Sequence, residues 1–168
     1  MGEHKGIEVG MGRMGMAPRA LAATALAATA LAASGCGGSS PKPLTRAELT
    51  VKANAICKKV TAKLTAATKG GVGSVQAIAR VAPELASFEE TALGELGKLV
   101  PPAKLESDWK QFIAGAQTLA ENTSKLGEYA KENNLKAAKS LIVSSEATQK
   151  QMIAIAKRDG LKDCEQVA

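Results

Sequence analysis

The chain is predicted to be all-α, a four-helix bundle running up, down, up and down, on three observations. From residue 45 onward, apolar residues recur every three or four positions in four successive stretches. Short breaks carrying glycine, proline or asparagine separate those stretches. No segment alternates apolar and polar residues as a half-buried strand would. Four amphipathic helices joined by short connections bury their stripes most simply as antiparallel neighbours.

The first helix opens at Thr45-Arg46-Ala47-Glu48, a capping box in which the Thr45 hydroxyl accepts from the Glu48 N–H and the Glu48 carboxylate reaches back to the Thr45 N–H. Leu49, Ala53, Ile56, Val60, Leu64 and Ala67 form its stripe, Cys57 borders it, and Gly70-Gly71-Val72-Gly73 ends it. The second runs from about Ser74 to Val100, with Leu85, Phe88, Ala92 and Leu96 on one side; Pro83 removes a backbone donor, so either a kink or a split is expected. Pro101-Pro102 closes that helix and opens the third, where Leu105, Trp109, Phe112, Ala116, Leu119, Thr123, Leu126 and Ala130 keep a 4,3,4,3 heptad spacing. Asn133-Asn134 makes a turn with Asn134 as N-cap. Leu135, Ala138, Ile142, Ser145, Met152 and Ile155 or Ala156 then mark the fourth helix. Lys157 and Arg158 suit its carbonyl end, and Gly160 suits the left-handed residue beyond it.

Ahead of the bundle, an uncharged alanine- and leucine-rich run follows Arg19 and leads into Leu31-Ala32-Ala33-Ser34-Gly35-Cys36. The run is too short to span a bilayer stably and has the length of a signal-peptide apolar region. Small residues at 34 and 35 directly before a cysteine read as a bacterial lipoprotein box. Residues 1–35 are therefore expected to be a signal peptide removed on export. Cys36 is expected to take a diacylglyceryl group and palmitate and become the new N-terminus, with residues 36–44 as lipidated cysteine and flexible linker and 45–168 as the bundle. Starts at Met11, Met14 or Met16 would give the signal a shorter, more basic flank.

Removal of that segment takes the basic and acidic totals from 22 and 16 to 19 and 14, leaving a net charge of +5. The lysines are scattered along the helices, so no nucleic-acid footprint is expected. His4, the single histidine, leaves with the signal, and imidazole chemistry leaves with it. Of three cysteines, assignment of Cys36 to lipid leaves Cys57 and Cys164, which are expected to pair in an oxidising compartment. Closing a loop of that length is worth up to ~4.7 kcal/mol in the chain-entropy model. A redox couple or a metal site would call for C-x-x-C spacing or companion ligands, which the sequence lacks.

Five Glu to Lys pairs at i,i+4 (48 with 52, 106 with 110, 121 with 125, 132 with 136, 146 with 150) describe solvated faces, each worth about 0.2–0.5 kcal/mol. Glu89 and Glu90 point about 100° apart on a helix and cannot converge on one bond, so both are expected at the surface. Trp109 and Phe112 fall on the heptad seam and are expected in the core, and Tyr129 over one end of the bundle. Gly94-x-x-Gly97 suggests close helix approach.

Ala53-Asn54-Ala55-Ile56-Cys57, Leu96-Gly97-Lys98-Leu99-Val100-Pro101-Pro102 and Gly160-Leu161-Lys162-Asp163-Cys164 give the chain a pattern that resembles a group of small, uncharacterised actinobacterial lipoproteins. The resemblance covers nearly all of the mature domain and implies the bundle and its cysteine pair. It brings no catalytic or binding residues. The expected function is a lipid-anchored module on the extracytoplasmic face of the cell membrane that binds another envelope component, a protein, with no catalysis, cofactor or metal. The alternative is a small carrier of lipid or another hydrophobic ligand.

Overall fold

The computed structural model describes residues 41–167, and among them it contains four long helices and no strand. The helices are α1 (Arg46–Thr68), α2 (Val75–Gly97), α3 (Glu106–Lys131) and α4 (Leu135–Asp159), with single 3-10 turns at Ala103–Leu105 and Cys164–Gln166. The caps follow the expected chemistry. Thr45 and Glu48 form the reciprocal box, Ser74 accepts from the Ala77 N–H, Asn134 accepts from the Ala137 N–H, and Gly160 takes the left-handed conformation at φ 80°. The box also holds the Glu48 carboxyl below the usual glutamate range, chiefly through the Thr45 backbone N–H and then its hydroxyl.

Cross-helix contacts fix the antiparallel order. Lys59 pairs with Glu95 at 3.6 Å while Lys63, one turn on, pairs with Glu84, so α2 descends as α1 rises. Asp108 meets Arg158, Gln111 meets Gln151 and Asn122 meets Ser145, which runs α4 against α3. At the end where the chain enters, Arg46 donates to the Arg158 carbonyl at 2.8 Å and lies 4.0 Å from the Asp159 carboxylate. Burial and the neighbouring Asp108 carboxylate raise the Asp159 carboxyl above the usual aspartate range, against the pull of Arg158 and Arg46.

The fourth side of the bundle is built differently from the other three. α1 packs on α2 and on the Cys164–Gln166 turn but scarcely approaches α4, so the segment after Gly160 closes that side. Leu161 and Cys164 are fully buried within the core formed by Leu49 and Ala53 of α1, Trp109 and Phe112 of α3, and Met152 and Ala156 of α4. Beyond the reach of that segment the start of α4 is uncovered. Leu135 and Ile142, placed on the apolar stripe by spacing, are 58% and 53% exposed, and Val143 is 60% exposed.

Three further details depart from the sequence reading. α2 continues through Pro83 without the split that is one of the two alternatives expected there, and it ends at Gly97 instead of Val100, because Leu99 and Val100 lead into the proline pair, where helical backbone is disfavoured. Gly94 and Gly97 are exposed and a methyl group at either would touch nothing. The close approaches are at Gly127, where it would lie 2.9 Å from the Ala82 Cβ, and at Gly115, where it would lie 2.6 Å from Met152 Cγ. Of the five i,i+4 pairs, Glu106 with Lys110 (2.7 Å) and Glu146 with Lys150 (3.8 Å) form ion pairs. Glu48 is held by its cap, Glu121 takes a hydrogen bond from Gln117, and Glu132 and Lys136 lie on opposite sides of the turn between α3 and α4.

Candidate functional site

Cys36, the expected lipidation residue, and the signal segment 1–35 lie outside the described residues. Cys57 and Cys164 form a disulfide, with Cα atoms 4.9 Å apart across 107 positions of sequence. Both are essentially inaccessible to solvent. A side chain that spacing did not single out supports the bridge. Asn54 donates through Nδ2 to the Gly160 carbonyl (3.4 Å) and accepts through Oδ1 from the Asp163 N–H (3.1 Å). One amide thus occupies both the end of α4 and the turn leading to Cys164. The Leu44 N–H donates to the Val100 carbonyl at 2.9 Å, tying the incoming chain to the connection between α2 and α3. The three sequence stretches of the resemblance therefore meet the chain ends: the first and last at the disulfide, the middle one at Leu44.

The carboxylates at 89 and 90 part company. Glu90 is exposed, as expected, but Glu89 turns inward and its Oε2 is buried with no hydrogen-bond partner. Burial raises its carboxyl above the usual glutamate range. The Thr123 hydroxyl beside it, which also bonds the Leu119 carbonyl at 3.1 Å, works against that shift. The surface expectation missed this because a glutamate between Phe88 and Glu90 reads alike whether it snorkels out or folds in. The signal available was its i,i+3 and i,i+4 relation to Ala92, Ala86 and Leu85, all buried on the same face.

Glu89 separates two spaces. On the core side lies a void of about 60 Å³ against Cys57, Ala92, Leu96, Phe112 and Met152. On the other side lies a recess of about 270 Å³ between Leu64 of α1, the middle of α3, the start of α4 and Val167. The recess exists because α1 and α4 do not close on each other, and it explains why Ala116, Leu119, Thr123 and Leu126, mid-seam positions of the α3 heptad, are only half-buried. A third, larger groove of about 610 Å³ runs along Pro43, Leu99, Val100, Trp109 and Ile113 at the end where the chain enters.

Trp109 and Phe112 are buried and stack with ring centroids 5.8 Å apart, as core residues. Tyr129 is half-buried near the end of α3. Among the described residues no group of three or more His, Cys, Asp or Glu side chains is placed to hold a metal ion, and no helix is long and apolar enough to cross a membrane. Comparison of the chain with protein-family models, curated proteins and solved structures gives no match.

Proposed function

We propose that this protein is a lipid-anchored helical module of the cell envelope, tethered at the extracytoplasmic face of the membrane through Cys36 and binding another envelope protein without catalysis. The tether rests on the lipoprotein box and on the linker behind it, which has no apolar length of its own to insert. The observation that carries the binding role is the uncovered face of α4. Leu135, Ile142 and Val143 are large apolar side chains left more than half exposed near the start of that helix. The chain enters beside Arg158 and Asp159, at the helix's other end. A helix of 25 residues spans about 37 Å, so this face lies toward the opposite end of α4 from the entry of residues 43–46 into the bundle.

A photo-crosslinking residue at Val143 in intact cells tests the reading. A discrete protein adduct, lost when Leu135 and Ile142 are both changed to Lys, is the expected outcome; background labelling alone overturns it. The anchor is tested apart from it, since Cys36→Ala is expected to abolish fatty-acid incorporation and cleavage at this position, and continued incorporation there would refute the assignment. The groove beside Trp109 favours a second reading, a carrier of hydrophobic ligand, because its volume falls within the range of about 300–1,000 Å³ typical of small-molecule sites. Native mass spectrometry of the purified protein separates the two: co-purifying lipid supports the carrier, and a ligand-free spectrum removes it.

A further inference from the structure

We propose that the recess flanking Glu89 is a binding site for a small primary ammonium carried on an apolar body, with the ammonium seated on the Glu89 carboxylate. Glu89 Oε2 is a buried acceptor with no donor from the protein. Thr123 Oγ bonds the Leu119 carbonyl and also lies against the Glu89 carboxyl, and Ser145 Oγ bonds the Leu141 carbonyl at 2.8 Å. Asn122 gives its Nδ2 to Ser145 Oγ at 2.9 Å, which leaves its Oδ1 as an acceptor. Glu89 Oε2 is thus an acceptor in this cluster left without a donor, while Gln149 and Gln166 add side-chain amides, which can donate or accept, to the lining.

An unpaired Glu89 carboxylate is complementary to a head rich in donors and hostile to another anion, so it selects an ammonium over a carboxylate or phosphate. The walls select the body. Leu64, Leu119, Leu126, Leu141 and Val167 surround the polar cluster, and the space of about 270 Å³ suits a short alkyl chain. Glu89, Leu119 and Val167 also border the core void, so Glu89 stands where the recess meets the apolar interior. There a charge-assisted hydrogen bond is shielded from water and gains strength accordingly. A buried carboxylate oxygen with no donor costs folding free energy. A ligand that supplies the donor removes that cost. Ile142 of the exposed face of α4 borders the recess, but the recognition rests on Glu89, so the proposal stands or falls independently of the protein-binding reading and of the membrane tether.

The test is titration of the full chain at about pH 8 with n-hexylammonium, 1-hexanol and hexanoate, followed by calorimetry and by the amide resonances of Thr123 and Ser145. The expected result is saturable binding of hexylammonium, at least roughly tenfold tighter than hexanol, with hexanoate not binding. Glu89→Gln is expected to bring hexylammonium down to the hexanol level while Glu90→Gln leaves it unchanged. Equal affinity of the native protein for the ammonium and the alcohol, or no saturable binding of the ammonium, overturns the proposal. Because that comparison uses the native chain, it decides the matter even if the Glu89 variant folds poorly.

Discussion

At Glu89 a carboxylate sits where burial disfavours its charge, and no ionised neighbour contributes to the shift. Its folded-state pKa therefore lies above the ordinary glutamate value of 4.5, and over the interval between the two the folded protein binds a proton that the unfolded chain has lost. The sign follows: the group's contribution favours folding below that interval and is lost as pH rises through it. The melting temperature of the native protein relative to Glu89→Gln is thus expected to fall as pH rises above 4.5, with the variant the more stable at neutral pH; parallel pH profiles of the two by calorimetry would show that Glu89 carries no such linkage. Asn54 gives the opposite case, a polar side chain whose two bonds are both used. Asn54→Ala strands the Asp163 N–H and the Gly160 carbonyl and is expected to cost about 1–3 kcal/mol in chemical denaturation, with the disulfide intact.

Among the helices, the decisive quantity is how near two backbones come. Gly127 faces Ala82 at the position where α2 carries Pro83, and a methyl group there meets a side chain that cannot swing aside. Gly127→Ala is expected to destabilise by about 1–3 kcal/mol through overpacking, even though alanine is the better helix former. Gly94 has open space around it, so Gly94→Ala is expected to stabilise by about 0.5–1 kcal/mol through helix propensity alone. Measured denaturation midpoints of the two variants check both signs at once, and shifts in the same direction would show that the packing of α2 on α3 is misassigned.

For the molecule as a whole, the Cys57–Cys164 bridge fastens the first helix to the segment that closes the fourth side of the bundle. Removing a native disulfide typically costs about 2–5 kcal/mol, a large part of the stability of a small domain. The Cys57→Ser, Cys164→Ser double variant is accordingly expected to melt far lower while keeping its far-ultraviolet helical signature. Two alkylatable thiols in the untreated protein by intact mass would contradict the bridge directly. Because Leu161 and Cys164 are core residues held from both sides, the bridge is also expected to resist reduction until the domain unfolds.

Periodicity, caps and cysteine arithmetic by themselves determined the four helices, the bundle, the Asn134 and Gly160 termini and the disulfide. The helices and their termini depend on residues near in sequence, and the disulfide joins two of the three cysteines. Tertiary structure alone decided which apolar positions are covered. Leu135 and Ile142 share a stripe with Met152, yet only Met152 is buried, because the segment after Gly160 reaches one end of α4 and not the other. It also decided that Gly127 and Gly115, and not Gly94 and Gly97, meet a neighbour, since spacing along a helix says which residues share a face but not where a second helix crosses it. Glu89 turned inward for the same reason. Its helix position was legible from local pattern, whereas the gap between α1 and α4 that its carboxylate borders is created by elements far apart in the chain.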